Sequence, residues 1–176
     1  CKAQAGMNET GSELVELLSI VAEQAQNVLN LLKESHPICE QYLSKIHVTG
    51  EEKTYRFSHG NVEDDLRLHS IQIKKTLGDW LKQVEALNNL LKDMLTNRNG
   101  QAAVENIENL FQIVGQWLGR AKKMTVLWDK LSRDIRTESI PLARWVSSLT
   151  AANRREEISL SAYPIVASEP LFKHLW

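Results

Sequence analysis

Five histidines, His36, His47, His59, His69 and His174, and two cysteines, Cys1 and Cys39, are the side chains of this sequence best suited to hold a metal or to act as nucleophiles. No Cys-x-x-Cys, His-Glu-x-x-His or Glu-x-x-His spacing accompanies them, so no ready-made metal cage is encoded locally. The tightest grouping is Asp65 with His69, one helical turn apart, to which His59 and Glu63 could add. A surface ion pair between residues four apart is the favoured reading of that pair, and a metal site is expected nowhere. No glycine-rich phosphate loop follows a strand, and no Ser/His/Asp or Cys/His set stands out. The chain is therefore expected to be no enzyme and to carry no cofactor. Cys39 falls on an apolar stripe where a buried free thiol is the default; a bridge to Cys1 is the alternative, and the sequence leaves both open.

Other chemistry-bearing stretches point to contacts rather than reactions. Arg120, Lys122 and Lys123 form the densest basic cluster beside an apolar face, as on a lipid-touching helix or, more simply, on the solvated side of a helix. Tyr55, Arg56 and Phe57 sit in "KTYRF", which alternates as an extended segment does. Tyr55 and Phe57 either meet a partner or fold back onto their own domain. At the other extreme, Leu171, Phe172, Leu175 and Trp176 load the chain end with apolar surface that has to dock somewhere.

These groups are positioned by helices. The chain has 176 residues, 43% hydrophobic and 24% charged, with few glycines and prolines. Lysine and arginine (21) nearly cancel aspartate and glutamate (22), so no global field gathers nucleic acid, and no nucleic-acid partner is expected. The chain begins at Cys1, as a processed form or an excised domain would, or one with vector residues ahead of Met7. Asn8-Glu9-Thr10 matches a glycosylation acceptor, a pattern common by chance in an asparagine-rich chain.

Apolar residues recur at alternating steps of three and four. The first stripe is Leu14, Leu18, Val21, Ala25, Val28, Leu32, Ser35, Cys39, Tyr42 and Ile46. The second is Leu66, Ser70, Ile73, Leu77, Trp80, Val84, Leu87, Leu91 and Met94. The third is Ile107, Phe111, Val114, Leu118, Ala121, Thr125, Trp128, Ser132 and Ile135. A mean step of 3.5 is the seam of coiled-coil-like packing. A second stripe on the third segment, Leu110, Trp117, Met124 and Leu131, broadens its apolar face. The expected fold is all-α: an elongated antiparallel three-helix bundle over residues 1–153, with helices at about 12–47, 62–97 and 102–136. Thr10-Gly11-Ser12-Glu13 reads as a capping box for the first helix and Asn61 as the cap of the second. Gly100 closes the turn between the second and third.

Phase is kept across Pro37, which predicts one bent helix there. At Pro141 the phase continues through Leu142, Val146 and Leu149, giving either an extension of the third helix or a short fourth helix over 141–152. Residues 154–176 read as an irregular apolar tail docked on the bundle or on a partner. The short link between the second and third helices is at odds with the two long crossovers of long-chain cytokines.

Gly115 and Gly119 interrupt the third helix, each costing roughly 1 kcal/mol against alanine. Close packing against Trp80 or Trp117 is the favoured explanation; a hinge in the helix is the alternative. "DWLKQVEALNNLL", Asp79–Leu91, is similar to the tryptophan-bearing first helix of spectrin-type repeats, a likeness confined to that one segment. The expected function is a non-catalytic scaffold or protein–protein interaction module, held to another protein or to further domains of the same chain; an oligomer also fits. The alternative is a membrane-active bundle of the cytolysin type that rearranges on lipid. No apolar hairpin long enough to enter a bilayer supports it, and a membrane partner is not favoured.

Overall fold

The computed structural model describes residues 2–46, 52–96, 104–134, 136, 141–150 and 156–165. Three long helices dominate: α1, Lys2–Ser44; α2, Asp64–Thr96; and α3, Val104–Ser132. Between α1 and α2 lie strand β1, Glu52–Arg56, and a 3-10 turn, Ser58–Gly60. After α3 come β2, Leu142–Thr150, and β3, Glu156–Pro164. The chain is thus mostly helical, with a small antiparallel sheet in the order β1-β2-β3, and all-α is only approximate.

Two compact units divide the chain, Cys1–Leu31 with Ile73–Val126, and Leu32–Gln72 with Leu127–Trp176. In the first unit the core is built by Val21 from α1, Val84, Leu87 and Leu91 from α2, and Val114 from α3. Leu14, Leu18, Trp80, Phe111 and Leu118 pack around them. Each such aliphatic side chain removed from water contributes about 1.5–3 kcal/mol. The Trp80 indole Nε1–H, which needs a partner when buried, donates to the Val21 carbonyl at 3.1 Å. Throughout both units, every described member of the three seams is buried or half-buried, so the 3.5-residue spacing identifies the inward faces correctly. Cys39 is buried and free. α1 runs unbroken through Pro37.

Several expected boundaries move. α1 starts at Lys2, ahead of the Thr10–Glu13 capping box, and takes Gly11 into its interior. A cap is worth about 1 kcal/mol, and the good helix formers Lys2, Ala3, Gln4 and Ala5 carry the helix past it. Asn61 does not cap α2; its N–H donates to the Ser58 carbonyl and closes the 3-10 turn. Gly100, Ile135 and the residues after 165, including Leu171, Phe172, Leu175 and Trp176, lie outside the described residues.

The largest correction is at Pro141. Neither an extension of α3 nor a fourth helix over 141–152 forms; the segment is the central strand of the sheet, and much of the expected tail is β3. The i, i+4, i+7 positions Leu142, Val146 and Leu149 suit a helix, but the burial has period two. Leu142, Arg144, Val146 and Ser148 are buried, whereas Ala143, Trp145, Ser147 and Leu149 are not. An arginine and a serine on the inward face concealed that alternation. Register then fixes two faces. Tyr55 opposes Val146 and Val146 opposes Leu160 on the inner one; Arg56 opposes Trp145 and Trp145 opposes Ser161 on the outer one.

Candidate functional site

The second unit holds two groups of side chains with chemical character, one on the inner face of the sheet and one at its end. The inner group assembles where β1 meets the end of α1. Tyr42, Tyr55 and Phe57 form an aromatic triad with ring centroids 5.1–5.3 Å apart. Lys45 lies over both tyrosine rings, 4.6 Å from the Tyr42 centroid and 5.5 Å from that of Tyr55, a cation–π arrangement. The Lys45 ammonium also pairs with Glu63 at 3.2 Å, and Tyr55 Oη–H donates to Glu63 at 3.1 Å. Being half-exposed, that ion pair adds about 1 kcal/mol at most. Tyr42 is buried, and its hydroxyl donates to Asp65 Oδ1.

This arrangement decides where several sequence candidates go. Phe57 is buried and Tyr55 half-buried, so these aromatics fold back onto their own unit. His59, Glu63, Asp65 and His69 do not assemble into a metal site. Glu63 turns to Lys45 and Tyr55, Asp65 to Tyr42, and His59 Nδ1 to Ser58 Oγ at 2.9 Å. Among the described residues no cluster of three or more His, Cys, Asp or Glu could hold a metal ion.

Burial and the negative charge of Asp65 push the Cys39 thiol from its ordinary 9.0 up to about 11. Tyr42 is raised by burial, by its hydrogen bond to Asp65 and by nearby negative charge; Tyr55 is raised by burial and by Glu63. Each raised group favours its protonated form in the folded state. The stability it adds is present in full below the unfolded-state value and is lost as pH climbs through the folded one. Stability should therefore fall from about pH 9 to 11, by roughly 2–3 kcal/mol for Cys39, and the tyrosines extend the fall. Urea midpoints at pH 7, 9 and 10.5 should show Cys39→Ala losing much less than the parent chain. Parallel losses would remove Cys39 as the cause.

The glycines of α3 need a correction. A Cβ at Gly115 or Gly119 would meet nothing within 4 Å, and both positions are exposed. Neither glycine makes room for a tryptophan: Trp80 packs in the core of the first unit, and Trp117 is 37% exposed. Helix-interior glycines with open space around them gain from alanine by about 0.5–1 kcal/mol each. Gly115→Ala with Gly119→Ala should therefore raise the thermal midpoint, and a lowered midpoint would restore a packing role. The neighbouring cations Arg120, Lys122 and Lys123 are exposed, with Lys122 paired to Glu85 at 3.2 Å.

The second group lies at the end of the sheet where β1 stops, β2 starts and β3 stops. Arg56, Phe57, His59, Gly60, Pro141, Ala143, Arg144, Trp145 and Ile165 line a cleft of about 680 Å³ there. Trp145 is stacked on Tyr163, centroids 5.5 Å apart and rings inclined by 20°. The rim is rigidly made. Phe57 N–H donates to the Arg144 carbonyl, and Ile165 N–H to that of Pro141. Arg144, 1% exposed, donates from Nη1 to the Gly60 carbonyl at 2.7 Å.

His59 takes φ 52°, the left-handed region that few non-glycine residues occupy, and Gly60 follows at φ 73°. Of the cleft residues, Arg56, Phe57, His59 and Pro141 drew attention in the sequence, none of them as part of a cleft. No protein-family model and no curated protein matches this sequence.

Proposed function

We propose that the chain is a non-catalytic protein–protein interaction module, in which the outer face of the sheet meets a partner protein. The observation that carries this reading is the apolar and aromatic character of that face. Tyr163 is 60% exposed and Ile165 54%, with Trp145 half-buried against Tyr163, while Leu149, 52% exposed, lies further along β2 beyond the Ser147–Ser159 pair. Aromatic side chains and arginine are what interface centres favour, and Arg56 stands opposite Trp145 in the register. Among the described residues β3 is paired on one side only, and an edge strand is a ready template for an added strand. The near-neutral charge argues against nucleic acid.

A selection of displayed random peptides on the intact chain tests it. Enriched sequences should lose binding to a Leu149→Ser, Tyr163→Ser double variant. Failure to enrich, or equal binding to the variant, would overturn the reading. The membrane alternative has weaker support, from the exposed cations of α3 beside exposed Trp117 and Val126. No described helix is long and apolar enough to cross a bilayer, so that role would be interfacial. Co-flotation with anionic but not neutral liposomes would favour it.

A further inference from the structure

We infer that the cleft at the end of the sheet binds an aromatic anion, a compact ring bearing a carboxylate or phosphate. The inference stands on the cleft itself and does not depend on the interaction reading. Its walls divide the recognition into two parts. Phe57, Pro141, Ala143, Trp145 and Ile165 offer apolar surface, and the stacking of Trp145 on Tyr163 holds the indole in place for a second ring. Offset stacking on a ring already held costs the protein little further entropy.

The polar part has one sign. Arg56, His59 and Arg144 line the cleft, and no Asp or Glu does so among the described residues. Arg144 is buried and engages the Gly60 carbonyl, whereas Arg56 is exposed and able to contact a ligand directly. A planar guanidinium takes a carboxylate or phosphate through two parallel hydrogen bonds.

His59 adds an independent observation. Its left-handed backbone conformation costs energy for a residue with a Cβ, and such outliers gather at binding sites. Ser58 Oγ lies 2.9 Å from Nδ1, and in the tautomer whose Nδ1 accepts that hydrogen bond Nε2–H is a second donor. The volume of about 680 Å³ falls among cavities that hold small molecules.

Such a ring anion could arrive free or as the last residue of a peptide. The test uses 15N-labelled intact chain and follows the Trp145 indole Nε1–H resonance, assigned with Trp145→Phe. Phenyl phosphate and 3-phenylpropionate represent the free ligand, and the tetrapeptide Ala-Ala-Ala-Phe with a free carboxylate represents the chain end. Its C-terminal amide and inorganic phosphate are the controls that lack one half of the chemistry.

At least one ring anion should shift the Trp145 resonance saturably, and the controls should bind at least about tenfold more weakly. Arg56→Gln, at an exposed position, should keep a dispersed spectrum and weaken the ring anions by about tenfold. His59→Asn, which tolerates the same backbone conformation, should weaken them less. Tighter binding by the peptide identifies a chain end as the source, and tighter binding by a small anion a free ligand; either upholds the inference. The absence of saturable shifts with all three ring anions would overturn it. So would controls that bind equally well, or unchanged affinity in a well-folded Arg56→Gln chain.

Discussion

Gly60→Ala is expected to destabilise the chain by about 3–5 kcal/mol, the range reached when strain and a backbone clash combine. A Cβ built on Gly60 would stand 1.9 Å from the Leu142 carbonyl oxygen and 3.1 Å from its carbon. Both are backbone atoms at the start of the central strand, so no flexible side chain can yield. The φ of 73° adds the left-handed penalty, about 1–2 kcal/mol for any residue with a Cβ. Relief would require the 3-10 turn to move away from β2. That shift would take with it the Arg144 hydrogen bond to the Gly60 carbonyl. Gly11→Ala provides the contrast, since a Cβ there meets nothing within 4 Å inside α1. Urea unfolding followed by circular dichroism should separate the two, with Gly11→Ala neutral or slightly stabilising. A loss below about 1 kcal/mol at Gly60 would show that the turn relaxes freely.

Arg144→Ala should cost a comparable amount, about 3–5 kcal/mol, for a different reason. The side chain is the largest of the fully buried ones, so truncation leaves a cavity. It also removes the donors to the Gly60 carbonyl at 2.7 Å and to the Arg133 carbonyl at 3.5 Å. Arg144→Lys keeps the charge but replaces the fork by a single ammonium, which reaches one carbonyl at a time. Its expected loss is about 2 kcal/mol. Hydrogen exchange gives a local reading, because Phe57 N–H donates to the Arg144 carbonyl and Ile165 N–H to that of Pro141. Both amides should lose protection in Arg144→Ala before the amides of the first unit do. Equal stability of the alanine variant would mean that the guanidinium holds nothing together.

These two residues also mark the boundary of what could be read in advance. The seams of α1, α2 and α3 were legible because each inward position is apolar or small and the spacing repeats over many turns. A pattern that long survives isolated exceptions such as Ser35, Ser70 and Ser132. Within helices those hydroxyls meet their own backbone: Ser35 donates to the Leu32 carbonyl, Ser70 to that of Leu66 and Ser132 to that of Asp129. Polar seam residues therefore left the period intact.

The nine residues of β2 had no such redundancy. Half of the inward positions, Arg144 and Ser148, are polar, and the remaining apolar ones satisfy a helical spacing equally well. Only pairing with β1 and β3 selects the extended conformation, and on the β1 side it joins residues about 90 positions apart, as Arg56 with Trp145. Gly115 and Gly119 failed in the opposite way. Their spacing suggested a purpose, yet their surroundings are open.

The sequence by itself determined three long helices, the faces they bury and a buried Cys39, because amphipathic periodicity is a local property that every turn restates. The tertiary structure alone decided that the segment after Pro141 is a sheet, that Phe57 turns inward and that Arg56, His59 and Trp145 share a cleft. Those outcomes depend on contacts between distant segments, whose energy is written in no single stretch of the chain.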